Sequence, residues 1–182
     1  MARVPYLTRS ELPLHHQDLL DRDINLNRAL VNCPSGARAF WVLGYWIRRD
    51  MDIDSRLREL VILQVGYLSR SPYEFSHHVK IALESGVSEQ DIDQLIAENQ
   101  GLETSLSDCD RLLLNATREI VEGPGISAQT FTALQSHFDP GQLVALTLTA
   151  SFYLGVVRLL DSLAIDTESD YLPYLERFPL PI

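Results

Sequence analysis

Helix-start signals recur along this 182-residue chain and constrain its fold more than any other feature. Ser88 and Ser107 each stand three residues ahead of an aspartate, and Ser71 stands three residues ahead of Glu74, with Pro72 between them. A serine followed by an acidic residue at this spacing forms a capping box, and proline is favoured at the first helical position. Apolar residues then recur every three to four positions, and no stretch alternates for long enough to be a strand. The sequence therefore predicts an all-α fold with about eight helices.

The length fits one compact domain, and we expect a single domain over residues 1–182. Residues 1–23 contain prolines and show no clear period, which favours an extended arm followed by a short turn of helix. Residues 167–182 are again rich in proline and predict a surface arm.

Composition excludes several classes of partner. The chain carries 25 acidic and 15 basic side chains, a formal net charge of -10, and no basic run, so nucleic acid is not an expected partner. The first 30 residues include charged side chains and no apolar segment of the kind found in secretory signals, so a cytoplasmic location is expected. Cys33 and Cys109 lie far apart, which favours two reduced, buried thiols over a bridge between them.

The run from Leu143 to Val157 contains no charged residue, which raises the question of a membrane span. Thr147, Thr149 and Ser151 interrupt the run, and Arg158 and Asp161 follow it closely. It is also shorter than the roughly 20 apolar residues that a bilayer requires. We interpret it as a buried central helix or a seam between protomers, and expect no membrane partner.

Two titratable side chains make the strongest candidate for chemistry. Glu74 precedes His78 by four residues, so one turn of helix places the carboxylate and the imidazole side by side. Both lie at the border of the apolar stripe, where a side chain is half-buried yet reachable, as proton transfer requires. Glu59 lies among apolar residues of the preceding helix, which predicts a raised pKa. His77 points away from this border and is expected to face solvent or a neighbouring subunit.

Simpler interpretations remain open at these positions. Glu74 can serve only to complete the capping box with Ser71. A metal site using Glu74, His77 and His78 would need ligands from elsewhere, because the two histidines diverge on a helix, and no metal is predicted. Trp41 and Trp46 are possible pocket walls, although core packing is the commoner role of such rings.

The residues of this central stretch also carry a family resemblance. Arg56-Leu57-Arg58-Glu59, Tyr73-Glu74, His78, Ala82 and Gly86-Val87-Ser88 resemble the carboxymuconolactone decarboxylase family, within the larger group that includes alkyl hydroperoxidase D. The resemblance covers residues 54–95. It implies an all-helical bundle of the alkyl hydroperoxidase D type, assembled as a homo-trimer or homo-hexamer, with the site near a subunit boundary.

Comparison with the thiol branch of that group reveals a difference. That branch has a glutamate, a Cys-x-x-Cys helix start and a histidine one turn later. Aligned on this chain, the glutamate falls at Glu59 and the histidine at His78, but the two cysteines fall at Ser71 and Glu74. Dithiol peroxide reduction needs one thiolate to attack and a second thiol to resolve, so the peroxidase activity is disfavoured.

The decarboxylase branch needs no sulfur, and its resemblance implies a carboxy-lyase that works without a cofactor on a small carboxylated lactone. In this hypothesis His78 carries the proton, Glu74 orients it, and Glu59 acts as a relay or second base. Tyr73 is the candidate hydrogen-bond donor to the developing oxyanion.

Four further residues are the candidates for binding the small-molecule carboxylate or lactone: Ser71, His77, Arg56 and Arg58. The two arginines are also compatible with ordinary solvated charges at a helix start. A non-catalytic ligand-binding or assembly protein with the same fold remains an alternative to the enzyme.

Overall fold

A computed structural model describes residues 2–181 and confirms the all-α fold. Nine α-helices follow one another within these residues, without a strand, together with three short 3-10 helices at Arg9–Glu11, Leu14–Leu20 and Ser169–Tyr171. The α-helices are α1 (Asn25–Leu30), α2 (Pro34–Arg49), α3 (Ser55–Leu68), α4 (Pro72–Glu84), α5 (Glu89–Asn99), α6 (Asp108–Glu122), α7 (Ala128–Leu134), α8 (Pro140–Leu163) and α9 (Leu172–Arg177).

The predicted helix starts are confirmed, with one informative exception. Ser88 and Ser107 form complete capping boxes at α5 and α6. At α4 the Ser71 hydroxyl accepts a hydrogen bond from the backbone N–H of Glu74, but the Glu74 carboxylate does not return to the backbone of Ser71. The carboxylate of Glu74 is therefore not used to cap its own helix.

Helix α3 is the centre of the fold and is buried on both faces. Val61, Ile62 and Val65 pack into one apolar core, which includes much of α8, while Leu60 and Leu63 pack into a second core with α4 and α5. This agrees with the apolar side chains found on both faces of this segment in the sequence.

Helices α3 and α4 approach each other closely at one glycine. A Cβ atom on Gly66 would lie 3.1 Å from backbone atoms of Phe75, closer than ordinary packing allows. The absence of a side chain at Gly66 thus fixes the distance between the two helices that carry the candidate acid–base residues.

Helix α8 contains the uncharged run. Within residues 2–181 it is the one helix long and apolar enough to span a membrane by length and composition, and 50% of its most apolar window is buried inside the structure. The core helix of a water-soluble protein has the same properties. Its buried face contributes to the same core as α3.

The terminal segments are more firmly packed than the sequence suggested. In the N-terminal arm the side chains of Leu12, Leu19 and Leu20 are buried. The prediction of a C-terminal surface arm is wrong, because the segment from residue 167 lies against α4 and buries Phe178 to 1% exposure. The expectation of two buried thiols is also wrong: both cysteines are free, as expected, but Cys33 is exposed and Cys109 only partly buried.

Candidate acid–base site

A buried histidine lies between two carboxylates where α3 and α4 face each other. The Nδ1 atom of His78 is 2.8 Å from Oε2 of Glu59, and its Nε2 atom is 3.1 Å from Oε1 of Glu74. All three side chains are at most 6% exposed. The structure therefore brings together three of the residues chosen from the sequence, although they are more deeply buried than the expected border position.

Glu59 is held in its ionised form by two partners. Burial alone would raise the pKa of its carboxyl group, but His78 and Arg58 outweigh burial and keep the pKa below its ordinary value. The Nε atom of Arg58 donates to Oε1 of Glu59 at 3.0 Å. The expectation of a raised pKa is therefore wrong, because the sequence did not reveal that His78 and Arg58 both face this carboxylate.

Glu74 has the opposite electrostatic environment. Burial raises the pKa of its carboxyl group, and attraction to His78 opposes this shift only in part. The contact between its Oε1 atom and the imidazole lacks the alignment of a hydrogen bond, and Oε1 has no hydrogen-bond partner among residues 2–181. The two carboxyl groups that flank His78 thus have pKa values shifted in opposite directions, that of Glu74 upward and that of Glu59 downward.

A cavity of about 40 Å³ borders this cluster. Three buried polar atoms on its wall have no hydrogen-bond partner within the described chain: Oε1 of Glu74, the Tyr153 hydroxyl and Nδ1 of His77. Buried polar groups in proteins are nearly always paired, so three unpaired ones around one cavity indicate a place for a polar molecule. The volume is sufficient for a water molecule or one small functional group.

Tyr153 is a site residue that sequence reasoning missed. It lies on α8, 2% exposed, and its ring meets the His78 imidazole edge to face at 4.9 Å. Burial raises the pKa of its hydroxyl group; nearby Arg48 opposes this shift, although the two groups lack the alignment of a hydrogen bond. The one signal in the sequence was a phenol in the middle of a run without charge.

The C-terminal segment contacts two residues of the cavity wall, Tyr73 and His77. Glu168 hydrogen-bonds Nε2 of His77 at 2.8 Å and accepts from the Tyr73 hydroxyl at 3.3 Å and from the backbone N–H of Asn25 at 2.6 Å. The His77 ring is stacked between Tyr73 and Tyr171, with ring centroids 4.1 and 3.5 Å apart.

His77 is therefore not exposed as predicted but 3% exposed. Burial lowers its pKa, which the Glu168 carboxylate offsets only in part. The helical wheel gave its direction correctly, but the sequence did not reveal that the C-terminal segment covers this face of α4.

Two of the other candidate residues lie away from the site. Arg56 bridges Asp91 on α5 and Asp110 on α6, so its charge is used to tie three helices together. Ser71 is 1% exposed and caps α4. Neither lines the cavity, because the sequence pattern gives spacing along α3 and α4 but not the elements that pack around them. Arg58, in contrast, contacts the site through Glu59.

No group of three or more histidine, cysteine, aspartate or glutamate side chains has the arrangement of a metal site within residues 2–181. The two histidines weighed for a metal in the sequence instead have separate partners, since His77 faces Glu168 and His78 faces Glu59.

Comparisons with known proteins agree with the architecture. Residues 36–101 match the model of the Carboxymuconolactone decarboxylase family. This segment contains Glu59, Tyr73, Glu74 and His78, whereas Tyr153 lies outside it. No curated protein matches the chain.

Solved structures of the same fold cover nearly the whole chain. An uncharacterized peroxidase-related protein from Ralstonia eutropha JMP134, described as an alkylhydroperoxidase AhpD core, is 15% identical with a TM-score of 0.80, covering 99% of this chain and 98% of its own. The debrominase Bmp8 in complex with 2,3,4-tribromopyrrole is also 15% identical, with a TM-score of 0.78 and 98% coverage of both chains. The resemblance to the carboxymuconolactone decarboxylase family, and the AhpD-like fold that it implied, are therefore confirmed.

Proposed function

We propose that the protein is a cofactor-independent carboxy-lyase, or a related acid–base enzyme, acting on a small carboxylated lactone or a similar unsaturated acid. The observation that carries the proposal is the buried His78 imidazole between two carboxyl groups, beside a cavity with unpaired polar atoms; the pKa of Glu59 is lowered and that of Glu74 is raised. Titratable groups whose environments push their pKa values apart are typical of acid–base sites.

Within the cluster of Glu59, Glu74, His78 and Arg58, one proton can move from one residue to another without changing the net charge of the cluster. The positive charge of Arg58 and the negative charge of Glu59 balance each other. A further proton can lie on Glu74, or on His78 with Glu74 ionised, and the total charge is the same in both cases. The 3.1 Å contact between them needs only a small rotation to transfer the proton, and such contacts are often poorly aligned before substrate binds.

This arrangement suits decarboxylation of an acid that contains its own electron sink. The bond to the carboxylate carbon breaks, carbon dioxide leaves, and the electron pair passes through the carbon–carbon double bond to the lactone carbonyl oxygen. The resulting dienolate then takes a proton at carbon from the Glu74–His78 pair, which is reprotonated from solvent. No external oxidant, reductant or cofactor is needed for this balance.

In this proposal the hydrogen-bond donor to the oxyanion is Tyr153, and not Tyr73 as the sequence suggested. The Tyr73 hydroxyl already accepts from the backbone N–H of Leu26 at 3.1 Å and donates to Glu168. The Tyr153 hydroxyl is unpaired and lines the cavity, so it is available for a dienolate oxygen.

The peroxidase reaction suggested by the descriptions of several structural neighbours has no chemical support in this site. Positions 71 and 74 are serine and glutamate, and neither Cys33 nor Cys109 lines the cavity. A dithiol mechanism requires two sulfur atoms within reach of each other.

The proposal is tested by following carbon dioxide release from carboxylated unsaturated lactones with wild-type protein and a His78→Gln variant. We expect the variant to remain folded and to lose about 10²–10⁴-fold in kcat, the usual contribution of general acid–base catalysis. The matched control is His137→Gln, because His137 is exposed in the turn that follows α7 and does not line the cavity.

Equal turnover by the His78→Gln variant and wild type would remove His78 from the mechanism. Binding of the lactones, seen as a raised melting temperature without any turnover by wild type, would instead support the non-catalytic ligand-binding protein.

A further inference from the structure

A cleft of about 900 Å³ opens beside the acid–base site, between residues 21–22, α2 and α4. Its walls carry five cationic side chains against only two acidic ones, Asp21 and Glu84. The cationic side chains are Arg22, Arg48, Arg49, Arg58 and Lys80. The charge of the cleft is therefore opposite to that of the whole chain, whose formal net charge is -10. A concave surface of one charge sign concentrates ligands of the other sign.

Most of these cations lack an acidic partner within residues 2–181. Arg22, Arg48 and Arg49 form no ion pair there, and the Lys80 ammonium lies over the Tyr171 ring, 5.7 Å from its centroid. Arginines elsewhere in the protein behave differently. Each of the arginines in the following set contacts at least one carboxylate: Arg9, Arg28, Arg38, Arg56, Arg111, Arg118 and Arg177. In a chain with excess acid, unpaired cations in one cleft point to a charge supplied by a ligand.

Arg22 and Arg48 have the most informative positions. Both are partly buried, and both line the 40 Å³ cavity as well as the cleft. A partly desolvated cation without a counter-charge costs free energy, which an anionic ligand would recover. These two arginines therefore lie where the open cleft meets the cavity that contains the unpaired Glu74 and Tyr153 oxygen atoms.

The structure makes specific room for the Arg48 guanidinium. A Cβ atom on Gly44 would lie 3.1 Å from its Nη1 atom, so the glycine leaves space for the group beside α2. The guanidinium also lies over the Trp41 ring at 5.6 Å from its centroid. Trp41, Tyr45 and Tyr171 supply flat aromatic surfaces to the same cleft.

We propose that this cleft is the docking site for a planar organic acid, whose carboxylate is bound by Arg22 and Arg48 and whose unsaturated body lies against the aromatic side chains. Guanidinium groups match the geometry of a carboxylate with paired hydrogen bonds, and flat unsaturated rings stack on aromatic walls. This inference rests on the proposed function in one respect: the natural ligand of the cleft is taken to be the same acid that reacts in the cavity.

The arginines serve capture rather than the loss of carbon dioxide. The negative charge of a carboxylate falls as carbon dioxide forms, so a guanidinium contact is no stronger in the transition state than with the bound acid, and such a contact lowers KM without raising kcat. Removing either charge is therefore expected to raise Kd and KM, and to leave kcat close to that of wild type. This separates their role from that of His78.

The test is isothermal titration of the whole protein with benzoate, and with benzamide as its uncharged analogue. We expect benzoate to bind wild type at least about tenfold more tightly than benzamide, since a charge-assisted pair is worth roughly 1.4 kcal/mol or more. Arg48→Met and Arg22→Met should each weaken benzoate binding about tenfold and leave benzamide unchanged. Raising the salt concentration should weaken binding of benzoate alone.

Two variants serve as controls. Arg111→Met removes a partly exposed arginine elsewhere and should bind benzoate as wild type does. His78→Gln should also retain benzoate binding, so a failure of the lyase hypothesis leaves this test intact. If Arg48→Met does not fold, as judged by circular dichroism, Arg22→Met carries the test.

Equal affinity for benzoate and benzamide would overturn the proposal, as would wild-type benzoate binding by both arginine variants. Displacement of benzoate by an equal concentration of inorganic phosphate would overturn the assignment to a planar organic acid, because it would show a general anion site.

Discussion

Replacing Glu74 by glutamine should make the protein more stable while removing its chemistry. The carboxyl group is 3% exposed, its pKa is raised, and Oε1 has no aligned hydrogen-bond partner among residues 2–181. A glutamine amide has nearly the same shape and copies the protonated acid, but it cannot ionise. The variant thus keeps the buried neutral group at every pH.

The sign of the pH dependence follows from the raised pKa. Above its ordinary value of 4.5, Glu74 loses its proton in the unfolded chain but retains it in the folded protein. Folding therefore takes up a proton, and the stability of wild type falls as the pH rises until the pKa of the folded state is passed. The glutamine variant lacks this loss, so its advantage should be near zero at pH 4.5 and increase with pH.

The size of the advantage follows from the cost of a buried ionisable carboxylate above pH 4.5, which glutamine does not carry. Desolvation of a buried polar group costs about 1–3 kcal/mol, and more when it is charged, so we expect a gain of about 1–3 kcal/mol at pH 8. For a chain of this length, 1 kcal/mol corresponds to a shift in Tm of roughly 2–4 °C. Decarboxylation should fall by about 10²-fold or more, because the amide cannot supply the proton.

Calorimetric melting of wild type and Glu74→Gln from pH 4.5 to pH 8 measures the difference directly. Other titrating groups cancel in the comparison as long as they do not couple to Glu74. Glu84→Gln is the matched control, since this carboxylate lies exposed near the end of the same helix and should give no pH-dependent gain. A variant less stable than wild type at pH 8, or a difference that does not change with pH, would refute the reasoning.

Two further substitutions separate scaffold from site. Arg56→Met should lower the free energy of unfolding by about 1–3 kcal/mol, because the carboxylates of Asp91 and Asp110 lose their partner. The variant should leave kcat unchanged. A large fall in kcat with unchanged stability would instead place Arg56 in the site. Glu168→Gln should weaken the attachment of the C-terminal segment. Burial would raise the pKa of Glu168, but hydrogen bonds from His77 and from the Asn25 backbone outweigh burial and lower this pKa. The stability that Glu168 adds is therefore present above pH 4.5, the ordinary pKa of a glutamate, and is lost as the pH falls through the pKa of the folded state. Chemical denaturation of this variant at pH 3, 5 and 7 should show a loss confined to the higher values, whereas an equal loss at all three would contradict the assignment.

Local signals predicted the helices well and their surroundings poorly. The caps at Ser71, Ser88 and Ser107 act within one turn of their own helix, so the sequence alone determines them. The same holds for the pair of Glu74 and His78, which one helical turn brings together.

Features that depend on distant packing were not predictable from spacing. The C-terminal segment covers His77 through Glu168, 91 positions along the chain, and no periodic pattern records such a contact. Tyr153 reaches the site because α8 packs on α3, and the pKa of Glu59 is lowered because His78 on α4 and the inward-turned Arg58 both face it. In each case the sequence did not show which side chain from another part of the fold would lie opposite the candidate residue.

The close approach of α3 and α4 at Gly66 has a consequence for how this architecture can diversify. Glu59 and His78 belong to these two closely packed helices, while Arg48 and Tyr153 of the cavity wall belong to α2 and α8. Substitutions in those outer helices can alter which compound enters without touching the proposed proton relay. One inherited pair of helices can thus serve many substrates, each chosen by its neighbours.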